Sequence, residues 1–351
     1  MSFLPRYELV VSPSDLNRLN RNVWAENFVP AYLDTGAGLQ QVSVKYRGAH
    51  TRQFYKKSYH LKVHNKEWHL NADAVDPSHI RSKWSFDWFS ALCVLAPRTS
   101  HVFVTISGKE QGIYTLLESV DKHFFARRGL PRGDLFYAVD GRAHFGLSPK
   151  KKLTDGYELK ERVTGGATLR LQQFIRQLNS VSDQRLQTWL HQNVEVYHYL
   201  RWLAGAVLTS NADGFMHNYA LYRHPRSNKW WIIPWDYDGT WGRDCYGRLM
   251  SASEIPLFGY NRLTERILSV AHFRRYYVKL MTHVLNHYFI KNCLMDEAAS
   301  LMAKVRKTVY TTAPWRSSIE RFEAEQVVFE RYVTARRNFL QRELEKWKNF
   351  I

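Results

Sequence analysis

The sequence predicts an α+β protein, with mostly antiparallel strands in an amino-terminal region and helices in a carboxy-terminal region. Two observations support this prediction: apolar and polar residues alternate as in strands over 39–63, with a further hairpin pattern over 102–118, and apolar residues at helical spacing dominate after 167. A third is a predicted β-hairpin inside the helical region, flanked by acidic residues. We expect two domains, 1–119 and 120–351.

The composition indicates a globular, strongly basic chain. Of its 351 residues, 45% are hydrophobic and 15% aromatic, which is enough to form an ample core. The formal net charge of +18 favours anionic partners such as nucleotide phosphates, acidic proteins or nucleic acid. The basic residues are spread along the chain, apart from a short run at 150–152, and no zinc-finger or RNP-type motif occurs. We therefore interpret the charge as a solvated basic surface and do not expect nucleic-acid binding.

Cysteine spacing and hydropathy indicate a cytosolic chain without a membrane span. Cys93, Cys245 and Cys293 lie far apart and form no C-x-x-C pair, so reduced thiols are expected. The first residues lack the apolar core of a signal peptide, and no run of eighteen apolar residues occurs.

The amino-terminal region opens with a predicted strand at 7–11 and a helix that ends near Trp24. Two antiparallel strands are predicted at 41–47 and 57–63, with a glycine-containing loop at 48–53. Such a loop could cover nucleotide phosphates, and an ordinary hairpin turn explains it equally well.

Lys57 is the basic residue that the pattern singles out in this pair of strands. Period-two geometry puts it on one face with Tyr59, Leu61 and Val63. An ammonium group among apolar side chains needs an anionic partner, which nucleotide phosphates would supply. We predict Lys57 as the phosphate-binding residue, with Lys56 as second choice; a surface lysine at a strand start is the alternative.

A helix over 79–95 and a hairpin over 102–118 complete the region. Asp87 is the only acid in the helix, so the acidic partner of the lysine stays open. Glu118 ends the last strand before a helix at 120–128. It could bind the nucleotide or form a salt bridge.

The carboxy-terminal region is predicted to contain short strands among helices. The helix over 194–209 is apolar enough to be buried. The predicted final helix has a possible turn near Glu325. The predicted strands lie at 135–139 and 157–160, and the predicted helices at 167–178, 183–193, 194–209, 261–268, 273–289, 295–309 and 318–350.

Two acidic clusters stand at the ends of the predicted hairpin. Asp213 and Asn218 form the first, and Asp236 and Asp238 the second. Because a hairpin returns the chain beside its start, the clusters are expected to meet. Magnesium is usually bound by such carboxylate and amide oxygens together with waters and phosphates. The sequence thus predicts a divalent-cation site, with simple turn capping as the alternative.

The spacing of these residues matches catalytic elements of protein kinases. Asp213 and Asn218 show the D-x-x-x-x-N spacing of the kinase catalytic loop, in which the Asp accepts the substrate hydroxyl proton and the Asn binds metal. Asp236 follows the hairpin, where the second metal-binding Asp of a kinase stands.

Several ordered motifs resemble one family. The stretches DGFMHNYALY at 213–222 and IPWDYDGTWG at 233–242 resemble the signature of the CotH family of spore-coat proteins, which are atypical protein kinases. YRGAHTR at 46–52, KKSY at 56–59 and GIYTLLE at 112–118 resemble that family in the same order. The resemblance covers nearly the whole chain.

The resemblance implies a two-lobed, kinase-like fold with an ATP cleft between the lobes, and ATP with Mg²⁺ or Mn²⁺ as cofactors. It implies Asp213 as the catalytic residue, Asn218 and Asp236 as metal ligands, and Asp238 as a helper to a second metal. The implied nucleotide-binding residues are Lys57, Lys56, Arg47, Glu118 and Asn218.

The resemblance further implies a protein Ser/Thr kinase that phosphorylates serine-rich spore coat proteins and is needed for coat assembly. The protein would be made in the mother-cell cytoplasm and built into the spore coat beside other coat proteins. The alternative is a non-catalytic pseudokinase scaffold that recruits coat proteins. Retention of Asp213, Asn218 and Asp236 favours the enzyme.

Overall fold

The computed structural model describes residues 4–147, 152–163, 165–312 and 318–348. Lys150 and Lys151 of the basic run, and the predicted end of the last helix at Phe350, lie outside these residues. The chain divides into two compact units. The first consists of 1–84, 97–119 and 296–327, and the second of 85–96, 120–295 and 328–351.

Seven strands of the first unit form a closed barrel in the order β1-β2-β3-β4-β5-β7-β6. They are β1 (Arg6–Val10), β2 (Val29–Asp34), β3 (Leu39–Arg47), β4 (Ser58–Val63), β5 (Lys66–Asn71), β6 (Thr99–Ile106) and β7 (Lys109–Glu118). Neighbouring strands are antiparallel except β1 and β6, whose parallel pairing closes the barrel. The expected antiparallel sheet is therefore corrected to a barrel, and closure removes its strand edges.

Alternate residues of the strands fill the barrel. In β2, Val29, Ala31 and Leu33 are buried, whereas Pro30 between them is exposed. The sequence prediction missed β2 and β5, because a proline inside a run argues against a strand and β5 is largely polar. The best-buried residues of the other strands include Leu9, Val44, Leu61, Leu70 and Val104.

The helices of the described residues follow the predicted order, with one correction in the last helix. Ser12 caps the first helix, since its hydroxyl accepts from the Asp15 backbone N–H at 3.1 Å. The turn expected near Glu325 is wrong, because the last helix is continuous there. No described helix is long and apolar enough to cross a membrane. The helices are α1 (Pro13–Arg21), α2 (Arg81–Ala91), α3 (Lys122–Ala126), α4 (Ala167–Ser180), α5 (Asp183–Asn193), α6 (Val196–Thr209), α7 (Arg262–Ser269), α8 (Ala271–His287), α9 (Lys291–Thr311) and α10 (Ile319–Lys348).

The second unit holds a four-stranded antiparallel sheet among helices. Its order is β11-β10-β8-β9, with every neighbouring pair antiparallel. Helix α6 is buried along most of its length, as predicted from its apolar sequence, and the predicted hairpin is confirmed as β10 and β11. The strands are β8 (Asp134–Ala138), β9 (Tyr157–Glu161), β10 (Tyr219–Arg223) and β11 (Trp230–Pro234).

Candidate functional site

The β10–β11 hairpin returns the chain beside its start. Tyr219 pairs with Pro234 at the open end of the ribbon. The backbone N–H of Trp235 donates to the carbonyl of Asn218 at 3.1 Å. Asn218 therefore lies next to the chain segment that leads into Asp236, as the sequence predicts.

Asn211 joins the loop of Asp213 to the segment of Asp236. Its Nδ2 donates to the Asp236 carbonyl at 3.1 Å, and its Oδ1 accepts from the Gly214 backbone N–H at 3.0 Å. The side chain is almost fully buried, so water competes little for these bonds. One buried amide thus fixes the two acidic segments against each other.

Asn218 and Asp236 both have left-handed backbone conformations, with φ of 58° and 59°. Asn and Asp adopt this region more readily than other residues with a side chain, and non-glycine residues held there often lie at functional sites. An Asn or Asp residue at each end of a hairpin is therefore a second sequence feature, in addition to the kinase spacing, that indicates a functional site.

The four predicted site acids and amides of this unit remain accessible. Asp213 begins a short 3₁₀ turn, Asp213–Phe215, and it is partly exposed, as are Asn218, Asp236 and Asp238. Among the described residues, no group of three or more His, Cys, Asp and Glu side chains is arranged to hold a metal. The carboxylate of Asp236 and the amide oxygen of Asn218 are oxygen donors, the type that binds Mg²⁺ together with waters and phosphates.

Cys245 is a neighbour of the site that the sequence did not indicate. A Cβ added to Gly239 would lie 2.7 Å from the backbone nitrogen of Cys245, so the two segments touch. Burial raises the pKa of the Cys245 thiol to about 12, helped by the charge of Asp213, by a hydrogen bond to it, and by Asp238 and Asp244. The thiol of Cys245 therefore stays protonated at neutral pH.

The two lysines of the first unit differ from the sequence prediction in their surroundings. Lys57 precedes β4, is only half-buried, and donates through Nζ to the Arg52 carbonyl at 2.6 Å. Lys56 is 2% exposed and donates to the carbonyls of Ala72, at 2.6 Å, and Ile113. Lys57 thus lies just before the strand on which the sequence argument placed it, and Lys56 is the more buried of the two lysines.

Two acids near Lys56 are Asp73 and Asp76. Asp87 of α2 is exposed. Burial lowers the pKa of Lys56, and the charges of Asp73 and Asp76 oppose that shift. The Asp73 carboxylate accepts from the hydroxyls of Thr115, at 2.6 Å, and Ser82, at 2.9 Å. The sequence missed both acids because they lie in a loop before the helix.

Asp76 also takes part in a fully buried ion network. The Asp76 carboxylate pairs with one guanidinium nitrogen of Arg81. The other terminal nitrogen of Arg81 pairs with the Glu325 carboxylate at 2.6 Å. All three side chains have no exposed surface. Burial would raise the pKa of Asp76, but the Arg81 charge and hydrogen bonds from Ser78 and Arg81 lower it overall.

The remaining two candidates contact other residues of the first unit. Arg47 ends β3 and donates to the side-chain oxygen of Asn71. Glu118 is 1% exposed, and its carboxylate accepts from the backbone N–H of Arg98 at 2.9 Å. The structure therefore gives Glu118 a buried contact that secures the chain entering β6.

Comparison with known proteins defines the class of this protein. Residues 44–340 match the family model described as CotH kinase protein, and the chain belongs to that family. It is 39% identical to inner spore coat protein H of Bacillus subtilis (strain 168), over 97% of both chains. The inner spore coat protein H-like protein of the same organism is 24% identical and covers 79% of this chain and 80% of its own length. The resemblance seen in the motifs is confirmed.

A likeness to a solved structure is weaker. The crystal structure of the Helicobacter pylori proinflammatory kinase CtkA aligns with 83% of this chain and 95% of that chain, at 8% identity and a TM-score of 0.36. A score of this size carries no argument about the site, which rests on the residues described above.

Proposed function

We propose that this chain is an ATP-dependent protein Ser/Thr kinase that phosphorylates serine-rich spore coat proteins. The observation that carries the proposal is the buried Asn211 amide, which joins the Asp213 and Asp236 segments in a member of the CotH kinase protein family. Phosphoryl transfer asks a protein chiefly for positioning and charge neutralisation, and a rigid connection of this kind provides the positioning.

Each residue of the site has a role in this proposal. Asp213 orients the acceptor hydroxyl and takes its proton. Asn218 and Asp236 supply oxygen ligands for Mg²⁺, for which Mn²⁺ could substitute, and Asp238 assists a second ion. When bound, the metal neutralises charge on the phosphates. The donor set fits a hard cation, because it contains only oxygen atoms.

Among the nucleotide-binding candidates, accessibility separates two groups. Lys57 and Arg47 are partly exposed, whereas Lys56 and Glu118 are buried and bonded to backbone groups. A phosphate contact requires an atom that the ligand can reach. We therefore keep Lys57 and Arg47 as candidates for phosphate contact and assign structural roles to Lys56 and Glu118.

The proposal places the protein in the spore coat after synthesis in the mother-cell cytoplasm, with other coat proteins as its partners. Its support is the likeness to a relative named inner spore coat protein H. The scaffold alternative shares this location, so location does not separate the two functions.

The test is transfer of labelled γ-phosphate from ATP to a serine-rich coat protein, with and without Mg²⁺. We expect metal-dependent transfer by the wild type, and a loss on the order of 10³-fold or more in Asp213→Asn and Asp236→Asn. Circular dichroism of each variant controls for folding. A folded wild type that neither binds ATP nor transfers phosphate, yet binds other coat proteins, would show a scaffold instead.

A further inference from the structure

A cavity of about 530 Å³ lies in the second unit, near the loop that carries Asp213. Its volume is within the range of about 300–1,000 Å³ found for ligand sites, and its surface is mainly apolar. The residues that line it include Phe258, Tyr260, Asn261, Thr264, Leu268 and Trp347.

One wall of this cavity also holds the loop 212–215. The Tyr260 hydroxyl donates to the Ala212 carbonyl, and Nδ2 of Asn261 donates to the Phe215 carbonyl at 3.0 Å. The rings of Tyr260 and Phe215 lie 4.8 Å apart. The cavity wall and the loop of the proposed catalytic residue are thus connected by three contacts.

Gly259 shows how closely this wall approaches the loop. Its φ is +56°, and a Cβ added there would lie 2.3 Å from Cε1 of Phe215. Burial raises the pKa of Tyr260 to about 12, together with the charges of Asp213 and Glu254. The Tyr260 hydroxyl, at one edge of the cavity, is thus hydrogen-bonded to the residue that precedes Asp213.

We propose that this cavity binds an aromatic or long aliphatic side chain of the acceptor polypeptide, a few residues from the hydroxyl that receives phosphate. The inference rests on the proposed kinase function. Because Tyr260 is hydrogen-bonded to the residue before Asp213, an acceptor chain whose hydroxyl reaches Asp213 would have its flanking residues near this wall, and an extended chain advances about 3.3 Å per residue. A neighbouring side chain can therefore enter the cavity, and its burial adds affinity that a purely polar serine-rich segment lacks.

Two serine-rich peptides, identical except for Phe or Ala near the acceptor serine, test the proposal. Binding is followed by the fluorescence anisotropy of a labelled peptide, and kcat/KM for phosphate transfer is measured alongside. We expect wild-type protein to bind the Phe peptide about tenfold more tightly, a typical effect of burying an aromatic side chain.

A pair of tryptophan variants locates the binding site of the Phe side chain. Ser269 lines the cavity at the end of α7 and is exposed, with its hydroxyl donating to the Arg266 carbonyl. Ser269→Trp should fill the cavity and abolish the preference. Ser90 is the matched control, since it is exposed near the end of α2 and donates to the Phe86 carbonyl. Ser90→Trp should keep the preference.

Equal binding of both peptides to the wild type, or a preference that survives in Ser269→Trp, overturns the proposal. Dimerisation of the wild type that Ser269→Trp abolishes would assign the cavity to a second copy and overturn it too. A Phe preference in binding without any phosphate transfer contradicts the kinase function and leaves the peptide site standing. Phosphate transfer by a wild type that binds the Phe and Ala peptides equally supports the kinase function and overturns the peptide site.

Discussion

Two groups of acidic residues, one in each unit of the molecule, differ in burial. In the first unit, Asp76 and Glu325 are fully buried and pair with Arg81. In the second, Asp213 and Asp236 are partly exposed, and buried hydrogen bonds of a neighbouring amide fix their segments. A buried charge must be neutralised by the protein itself, whereas an accessible carboxylate keeps oxygen atoms for a ligand. Substitutions in the buried Asp76–Arg81–Glu325 network should therefore change stability, and substitutions of Asp213 and Asp236 should change activity.

The largest effect on stability is expected at Arg81. Arg81→Met removes the guanidinium that pairs with both Asp76 and Glu325 in the buried network, which should reduce the free energy of unfolding by about 3–5 kcal/mol. Urea denaturation measures the change. Arg18→Met is the control, because Arg18 pairs with Asp15 at the surface, where ion pairs contribute little. Equal midpoints for the two variants would contradict a structural role for the network.

Cys245 should be the least reactive of the three cysteines. With a thiol pKa raised to about 12 by burial and by Asp213, it should react with iodoacetamide at pH 8 at least ~100-fold more slowly than Cys93 and Cys293. Mass spectrometry of the alkylated peptides gives the three rates.

The matching variant is Asp213→Asn, which removes a charge that raises the thiol pKa. The alkylation rate of Cys245 should then increase, while the rates of the two exposed cysteines stay the same. An unchanged rate for Cys245 would show that Asp213 does not act on the thiol.

His198 should make the second unit sensitive to acid. Its ring donates through Nε2 to the Ile232 carbonyl at 2.7 Å, and burial lowers its pKa to about 4 from a usual value of 6.5. The unfolded chain takes up a proton below pH 6.5, and the folded chain does so only near pH 4. Stability therefore falls as the pH falls through this window, by about 1.4 kcal/mol per pH unit.

His198→Gln tests this contribution, because glutamine can still donate to the carbonyl but does not titrate. Urea denaturation at pH 7, 6 and 5 should show a flatter loss of stability in the variant than in the wild type. Identical slopes would rule out His198 as a source of the acid sensitivity.

The smallest effect on stability is expected at Asp236, despite the large effect proposed for activity. Asp236→Asn keeps a side chain that tolerates φ of 59°, at a partly exposed position. The free energy of unfolding should change by less than about 0.5 kcal/mol in urea. A loss comparable with that of Arg81→Met would place Asp236 among the structural acids and remove the contrast between the units.

The sequence by itself determined the features that depend on neighbours along the chain. The β10–β11 hairpin follows from two apolar runs around polar turn residues, and the burial of α6 follows from its apolar composition. Asp213, Asn218 and Asp236 were predicted as site residues in the same way, because their spacing around the hairpin is a local pattern. The family could be recognised from the sequence because its motifs are continuous stretches of the chain.

Only the tertiary structure decided the features that join distant parts of the chain. Barrel closure pairs β1 with β6, and the buried network brings Glu325 of α10 to Arg81. Burial of Lys56 instead of Lys57 depends on carbonyls of Ala72 and Ile113. Periodicity reports which face of an element is apolar, but it holds no information on which distant element covers that face. These contacts therefore appear only when the whole chain is folded.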